Sequence, residues 1–268
     1  MDVHDIDPAR RGGDAEVLRE EVGRRAEVEL PGPSSAYSVE DLPVLEARCE
    51  YRLRQGRWSD AAEDARRLAD FEPTSLRHVQ LAALLLRGGD PKAYQGLCNQ
   101  ALASFGRSEE SVDAERVAKI CGLAPGLELD PQALDALSNR GVADADSYHR
   151  PWSWLARGLV HLRAGRWKHA RRDLDRCLEL DMAPEGRAAV HAARAIVRHR
   201  LDEPDEARAS LEEAGRLLGE TFAQPDGEPQ AAPPTQWHDW LIARLLVDEA
   251  RATLPPDAKL TEPDPAGR

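Results

Sequence analysis

The chain has 268 residues and a formal net charge of −12, with 48 acidic side chains against 36 lysines and arginines. An excess of negative charge disfavours binding to nucleic acid and to anionic membranes, because both are themselves negatively charged. Aromatic residues make up only 5% of the chain and alanine and leucine are abundant, which favours an all-helical protein over one built from β-strands.

The cysteines and the first residues indicate the compartment in which the protein works. Four cysteines form no Cys-x-x-Cys pair, and each falls in an apolar helical pattern, as reduced and buried thiols do. The chain starts without a positively charged segment followed by an apolar one, and no apolar run is long enough to cross a membrane. We therefore expect a cytoplasmic protein.

Apolar periodicity and turn signals divide the chain into segments, taken here from its start to its end. Residues 1–34 are polar and are expected to be partly disordered or to form one helix. The pattern then predicts helical hairpins at about 42–73, 75–106, 108–148, 151–184 and 188–219, of which the third is the least regular. The prolines of 220–235 predict a loop, because proline breaks helices. A final helix is expected over 236–254, before a disordered tail at 255–268.

Local signals mark several turns and helix starts. Gly56-Arg57-Trp58 and Gly165-Arg166-Trp167 each follow one helical stretch and precede another, so each is expected to form the turn of a hairpin. Asp90-Pro91 and Asp130-Pro131 each offer a capping carboxylate followed by proline at the first helical position. The recurrence of one turn signal is typical of a repeat array, in which each hairpin packs against its neighbours.

From about Leu42 to Leu254 the chain resembles tetratricopeptide repeat proteins, whose unit of about 34 residues carries Trp, Leu-Gly and Tyr before Ala, Phe and Pro. The clearest copy begins at Pro151. It supplies Trp154, Gly158, Gly165, Trp167, Ala170 and Leu174 at matching places. The resemblance implies an all-α fold, a right-handed superhelical solenoid of helical hairpins. The C-terminal helix is expected to cap the open end of this solenoid with one apolar stripe.

In such a solenoid the first helix of each repeat lines a concave binding groove. Counted from the start of each copy, the second, fifth and ninth positions are expected to face the groove. These positions hold Leu76, Val79, Ala83, Trp152, Leu155, Leu159, Ala189, Ala192 and Ile196. The groove floor is therefore expected to be apolar, and it suits an amphipathic helix or an extended peptide with hydrophobic anchors.

Arginine occupies the thirteenth position of all four alignable copies, at Arg54, Arg87, Arg163 and Arg200. Guanidinium groups along the rim of the groove are suited to carboxylates and phosphates, which favours an acidic or phosphorylated partner segment. The alternative is structural. Each of these arginines also stands in the last turn of its helix, where a cation complements the helix dipole.

The sequence lacks the common motifs for catalysis and cofactor binding. The sequence contains no phosphate-binding loop, no dinucleotide-binding fingerprint, no zinc-protease motif and no serine-hydrolase motif. His191 and His199 lie eight residues apart on one predicted helix, which is too far for two ligands of one metal ion. We therefore expect a protein that is not an enzyme and that holds neither a cofactor nor a metal.

Three segments carry a closer resemblance within the family. They are 117–121, 123–126 and 237–241, and they resemble repeat regions that follow serine/threonine kinase or β-propeller domains in large bacterial regulatory proteins. The sequence itself lacks the kinase motifs. The leading hypothesis is a non-catalytic scaffold that binds a protein segment in the groove. The alternative is a regulatory subunit, or a detached regulatory half, of a bacterial serine/threonine kinase signalling system.

Overall fold

The computed structural model describes residues 19–27, 38–222 and 236–255. Helices account for most of these residues, and no described residue belongs to a β-strand. The first helix, α1, covers residues 19–27. The others are α2 (Leu42–Arg54), α3 (Trp58–Phe71), α4 (Ser75–Arg87), α5 (Pro91–Phe105), α6 (Ser111–Gly122), α7 (Pro131–Ala143), α8 (Arg150–Arg163), α9 (Trp167–Leu178), α10 (Pro184–Arg200), α11 (Pro204–Phe222) and α12 (Trp237–Thr253). The expectations for 1–18, 28–37, 223–235 and 256–268 lie outside the described residues.

The two Asp-Pro signals begin helices as the sequence predicts. Asp90 accepts a hydrogen bond from the backbone N–H of Ala93 at 2.9 Å, at the start of α5. Asp130 accepts one from the backbone N–H of Gln132 at 2.9 Å, at the start of α7. Each carboxylate accepts a hydrogen bond from a backbone N–H that has no acceptor within its helix. The proline that follows has no N–H, but an N–H at the first helical position would have no intrahelical acceptor either.

Four helix pairs share one turn geometry, namely α2–α3, α4–α5, α8–α9 and α10–α11. In each turn one residue has left-handed φ, at +68° in Gly56, +76° in Gly89, +68° in Gly165 and +62° in Asp202. The next backbone N–H donates to the carbonyl five residues earlier, at 2.9 Å in the first three turns and 3.0 Å in the fourth. Glycine takes this conformation without steric cost, and aspartate is one of the few other residues that tolerate it. The pairs are therefore local repeats of one design.

A buried ion pair also recurs between equivalent helices. Arg48 of α2 donates to both carboxylate oxygens of Asp64 in α3, at 2.7 and 3.1 Å. Arg157 of α8 makes the same two-bond contact with Asp173 of α9, again at 2.7 and 3.1 Å. Both pairs span 16 residues. Because Asp64 and Asp173 are fully buried, each needs its arginine to compensate its charge.

Neighbouring helices pack against each other along the chain, and alternate helices form a second set of contacts. In that set α4 contacts α6, α6 contacts α8, and α8 contacts α10. We call these four helices the first-helix row. A Cβ added to Gly122 of α6 would lie 2.8 Å from the Cβ of Leu159 of α8, so glycine allows these two helices to approach closely.

The last helix, α12, lies in a place that the sequence does not predict. It packs against α10 and α11, as a helix at the end of the array would, but it also packs against α4, which stands three hairpins earlier. α12 therefore lies on the last hairpin, where the cap is expected, and in addition it crosses the first-helix row as far as α4. The physical reason is that its buried residues are not confined to one stripe. Trp240, Ala243, Val247 and Ala250 are buried, and so are Trp237, Leu241, Ile242 and Leu246. A helix that is apolar on most sides needs cover on more than one side.

Candidate binding site at the end of the first-helix row

The nine apolar residues predicted to line a groove all lie on α4, α8 and α10, but most of them are closed to solvent. The buried members are Val79, Ala83, Leu155, Leu159, Ala189, Ala192 and Ile196. In this structure they belong to the hydrophobic core, and Val79 also lies on the wall of a cavity described below. Only Leu76 and Trp152 are half-buried.

Two of the four predicted rim arginines are paired with acids of α12. A guanidinium nitrogen of Arg87 lies 2.9 Å from a carboxylate oxygen of Asp248. Arg163 binds both carboxylate oxygens of Glu249, with Nη2 2.7 Å from Oε2. Acidic side chains of the chain itself therefore occupy these two guanidinium groups.

The other two rim arginines do not point to a shared ligand. Arg54 lies 3.8 Å from Glu50 of its own helix. The guanidinium carbon of Arg200 lies 5.9 Å from the centre of the Trp167 ring, where the cation faces an aromatic surface. The four arginines therefore have four different environments rather than one continuous line of contacts.

Arg163 has a structural role beyond its ion pair. Its guanidinium donates to the carbonyl of Gly122 at 2.9 Å and to that of Leu123 at 2.6 Å, at the C-terminal end of α6. These carbonyls have no partner within α6, and a cation at a helix C-terminus is favourable. Arg163 thereby joins α6, α8 and α12, and these contacts engage four of its five N–H donors.

An opening remains where α12 begins. Side chains of α4, α6, α8, α10 and α12 surround a cavity of about 160 Å³ there, which we call the row-end cavity. It is lined by Leu76, Val79, Glu115, Arg116, Lys119, Tyr148, His149, Trp152, Glu185, Gln236, His238 and Asp239. Leu76 and Trp152, the two accessible members of the predicted groove, are among them. Tyr148, which is 69% exposed, presents its ring at the edge.

A buried lysine organises one wall of the cavity. The Nζ of Lys119 lies 3.1 Å from an oxygen of Glu115 and 3.6 Å from an oxygen of Asp239, and it stands 4.9 Å from the centre of the Trp152 ring. Burial lowers the pKa of this amine, but the two carboxylates outweigh that effect and leave the pKa raised. Lys119 is therefore charged, and it holds Glu115, Asp239 and Trp152 in place.

Glu185 lies in the first turn of α10 and is only 8% exposed. Burial raises the pKa of its carboxyl, and the nearby charge of Asp239 raises it further. The carboxylate accepts a hydrogen bond from its own backbone N–H. Among the described residues, no lysine, arginine or histidine lies within ion-pair distance of it. Glu185 is thus a buried acid without a cation, on the wall of an open cavity.

His238 completes the polar lining. It is buried, its ring nitrogen Nε2 lies 3.3 Å from a carboxylate oxygen of Asp239, and burial lowers its pKa. The imidazole is consequently neutral near pH 7 and adds no positive charge to the cavity. Arg116, which is half-buried, directs one guanidinium nitrogen to the hydroxyl of Ser75 at 3.3 Å.

Sequence reasoning missed Glu115, Lys119, Tyr148, Glu185 and Asp239 as members of this site. One signal was available: Lys119 interrupts the apolar run from Val117 to Cys121, and Glu115 stands four residues before it. A charged pair at this spacing occupies one helix face. The burial of the Glu115–Lys119 pair depends on α8 and α12, which lie more than 25 residues further along the chain.

The described residues show few features of other classes of site. No group of three or more His, Cys, Asp or Glu side chains among them is arranged to hold a metal ion. None of the described helices has both the length and the apolar character needed to cross a membrane. The four cysteines are buried and free, and burial raises the pKa of Cys49 and Cys177, which disfavours reactive thiolates.

Comparisons with known proteins supply no relative for this chain. No protein-family model, no curated protein and no solved structure matches it.

Proposed function

We propose that this protein is a non-catalytic scaffold that binds a segment of a partner protein at the row-end cavity. The observation that carries the proposal is the unequal cover of the first-helix row. α12 packs on α4 and α10, but near the N-terminal ends of α4 and α8 the side chains of Leu76 and Trp152 stay accessible beside the exposed ring of Tyr148. A concave site with accessible aromatic side chains is typical of places where proteins bind ligands and partners.

The proposed architecture behind this site is a superhelical solenoid of tetratricopeptide-like hairpins. Two observations support it: the shared turn of four helix pairs, and the equivalent ion pairs Arg48–Asp64 and Arg157–Asp173. Solenoids of this kind bind partners on the surface formed by their first helices. Leu76 and Trp152, the accessible members of the predicted groove, both line the row-end cavity.

A partner that replaced α12 along the whole row would face a large energetic cost. Trp240, Leu241, Ile242 and Leu246 are all buried, and each large apolar side chain is stabilised by roughly 1.5–3 kcal/mol when it leaves water. The pairs Arg87–Asp248 and Arg163–Glu249 would also have to separate. Binding at the uncovered end requires none of these changes, and we therefore place the partner there.

A site-specific photo-cross-linker tests the proposal. Tyr148 is replaced by p-benzoylphenylalanine, and in a matched protein Phe71, an exposed aromatic on α3, is replaced instead. Both proteins are irradiated in extract of the source cells. We expect a cross-linked protein from position 148 and none from position 71. Equal cross-linking of the same protein from both positions would contradict a specific site at the cavity.

The partner that the cross-link identifies is then purified on its own, and its affinity for this protein and its variants is measured. Tyr148→Ala and Leu76→Glu are each expected to weaken binding at least tenfold, which corresponds to about 1.4 kcal/mol. Phe71→Ala is expected to bind like the parent. Because Tyr148 is mostly exposed, its replacement should leave the melting temperature unchanged, and unchanged affinity of both cavity variants would overturn the proposal.

A further inference from the structure

The charges that line the row-end cavity do not balance. Three buried carboxylates belong to Glu115, Glu185 and Asp239, and the buried cation among the described lining residues is Lys119. Lys119 lies near Glu115 and Asp239 but not near Glu185. Arg116 directs a guanidinium nitrogen to Ser75. A buried carboxylate without a cation is costly, and a positive group supplied from outside would remove that cost.

Two oxygens near Lys119 also retain bonding capacity. Oε1 of Glu115 and Oδ1 of Asp239 are buried and share one cation, because the ammonium of Lys119 lies 3.1 Å from the first and 3.6 Å from the second. Carboxylate oxygens accept more than one hydrogen bond, so a donor that enters the cavity would find acceptors there. This observation is independent of Glu185 and points to the same ligand chemistry, a cation with several N–H groups.

The remaining walls fit the stem of a long basic side chain. Leu76 and Val79 supply apolar surface, and the rings of Trp152 and Tyr148 supply aromatic surface. Lysine and arginine bury their methylene groups along apolar surface while their charged ends reach polar groups. Aromatic rings attract such cations in addition.

We infer that the row-end cavity receives a lysine or arginine side chain of the partner segment, with its cation next to Glu185 and its methylenes against Leu76 and Val79. The inference rests on the proposed function, because it names the chemistry of the partner at the same site. An acidic or phosphorylated residue would meet three carboxylates here against two cations, of which Lys119 is already shared by Glu115 and Asp239. The arginines that favoured such a ligand in the sequence, Arg87 and Arg163, are instead occupied by acids of α12.

Small capped amino acids test the cavity without a partner. The full-length protein is labelled with ¹⁵N-tryptophan, the indole signal of Trp152 is assigned with Trp152→Phe, and the shift of that signal is followed during titration. The probes are the N-acetyl amides of arginine, lysine, citrulline and glutamate. Citrulline has nearly the shape of arginine but no charge. We expect saturable shifts with the arginine and lysine probes, and none with the citrulline and glutamate probes.

Variants connect the response to Glu185. Glu185→Gln keeps the size of the side chain, removes its charge, and is expected to weaken binding of the arginine probe at least fivefold. The control is Glu179→Gln, which changes an exposed acid at the end of α9 and should bind the probe like the parent. Glu185→Gln is also expected to melt no lower than the parent, because it removes an uncompensated buried charge. Equal shifts with the citrulline probe, or parental affinity in Glu185→Gln, would overturn the inference.

The outcomes separate this inference from the proposed function. Binding of the arginine probe at Trp152 without any cross-linked partner at position 148 would support the cavity chemistry and contradict the scaffold proposal. A cross-linked partner whose affinity survives replacement of all its contacting lysines and arginines by glutamine would support the scaffold proposal and overturn the inference.

Discussion

At the scale of single residues, stability depends on charges that the chain buries and compensates. Asp64 is fully buried and lies within 4 Å of three arginines, Arg48, Arg52 and Arg67. The sequence places Asp64 on the same helix face as Ala61 and Leu68, but it does not show which cation compensates its charge. The partner Arg48 stands 16 residues away, and its contact depends on how two helices pack.

Removal of this carboxylate is predicted to be costly. Asp64→Ala removes the carboxylate that pairs with Arg48 inside the core, and loss of one partner of a buried pair typically lowers the free energy of unfolding by about 3–5 kcal/mol. Urea denaturation followed by circular dichroism measures the change. Asp70→Ala, an exposed position on the same helix, should change stability by less than about 0.5 kcal/mol. A loss below about 1 kcal/mol for Asp64→Ala would contradict a large contribution of the Arg48–Asp64 pair to stability.

A half-buried histidine, His161, gives the protein a predictable response to acid. Burial lowers the pKa of His161 to about 4, and the opposing charge of Asp173 only partly offsets this effect. In the unfolded chain the pKa is about 6.5. Between these values the unfolded state binds a proton that the folded state does not, so the free energy of unfolding falls as the pH decreases from 6.5 to 4.

The His161→Gln variant isolates that effect. Relative to the variant, the parent should lose about 1–3 kcal/mol of additional stability between pH 6.5 and pH 4. Urea denaturation at several pH values measures the difference. His169→Gln replaces the neighbouring exposed ring and should retain the parental slope. Identical slopes for the parent and His161→Gln would contradict the assignment.

At the scale of elements, the helices follow closely from local signals, because caps, turns and apolar spacing act within a few residues. The starts of α5 and α7 are examples, since Asp90 and Asp130 bind the backbone of their own first turns. The position of α12 did not follow. Periodicity shows that this helix is apolar, but which neighbours cover it depends on residues more than a hundred positions away, such as Arg87 of α4.

The burial of α12 predicts that it contributes strongly to stability. Leu246 is fully buried, so Leu246→Ala should lower the free energy of unfolding by about 2–5 kcal/mol. Leu245, the next residue, is only half-buried, and Leu245→Ala is expected to cost less than half as much. The comparison uses the same chemical change at adjacent positions. Equal and small losses would mean that α12 packs loosely.

At the scale of the whole molecule, the candidate site arises where helices from four hairpins and α12 meet. Leu76 and Trp152 could be predicted as members of a binding surface because their positions repeat along the chain. Glu115, Lys119, Glu185 and Asp239 follow no repeat, and their roles appear only when α6, α10 and α12 come together. The open question of which surface receives a partner therefore depends on whether α12 stays in place.

Native-state hydrogen exchange measures whether α12 stays packed on α4 and α10 in the folded protein. Backbone amides of Leu246 and Val247 in α12 are compared with those of Ala192 and Ala193 in α10, over increasing subdenaturing urea. If α12 is a permanent part of the core, both sets should exchange only by global unfolding, with the same free energy of opening. A free energy of opening for α12 that lies several kcal/mol below that for α10 would contradict a permanent position of α12. The residues that α12 covers would then become accessible to a partner without global unfolding.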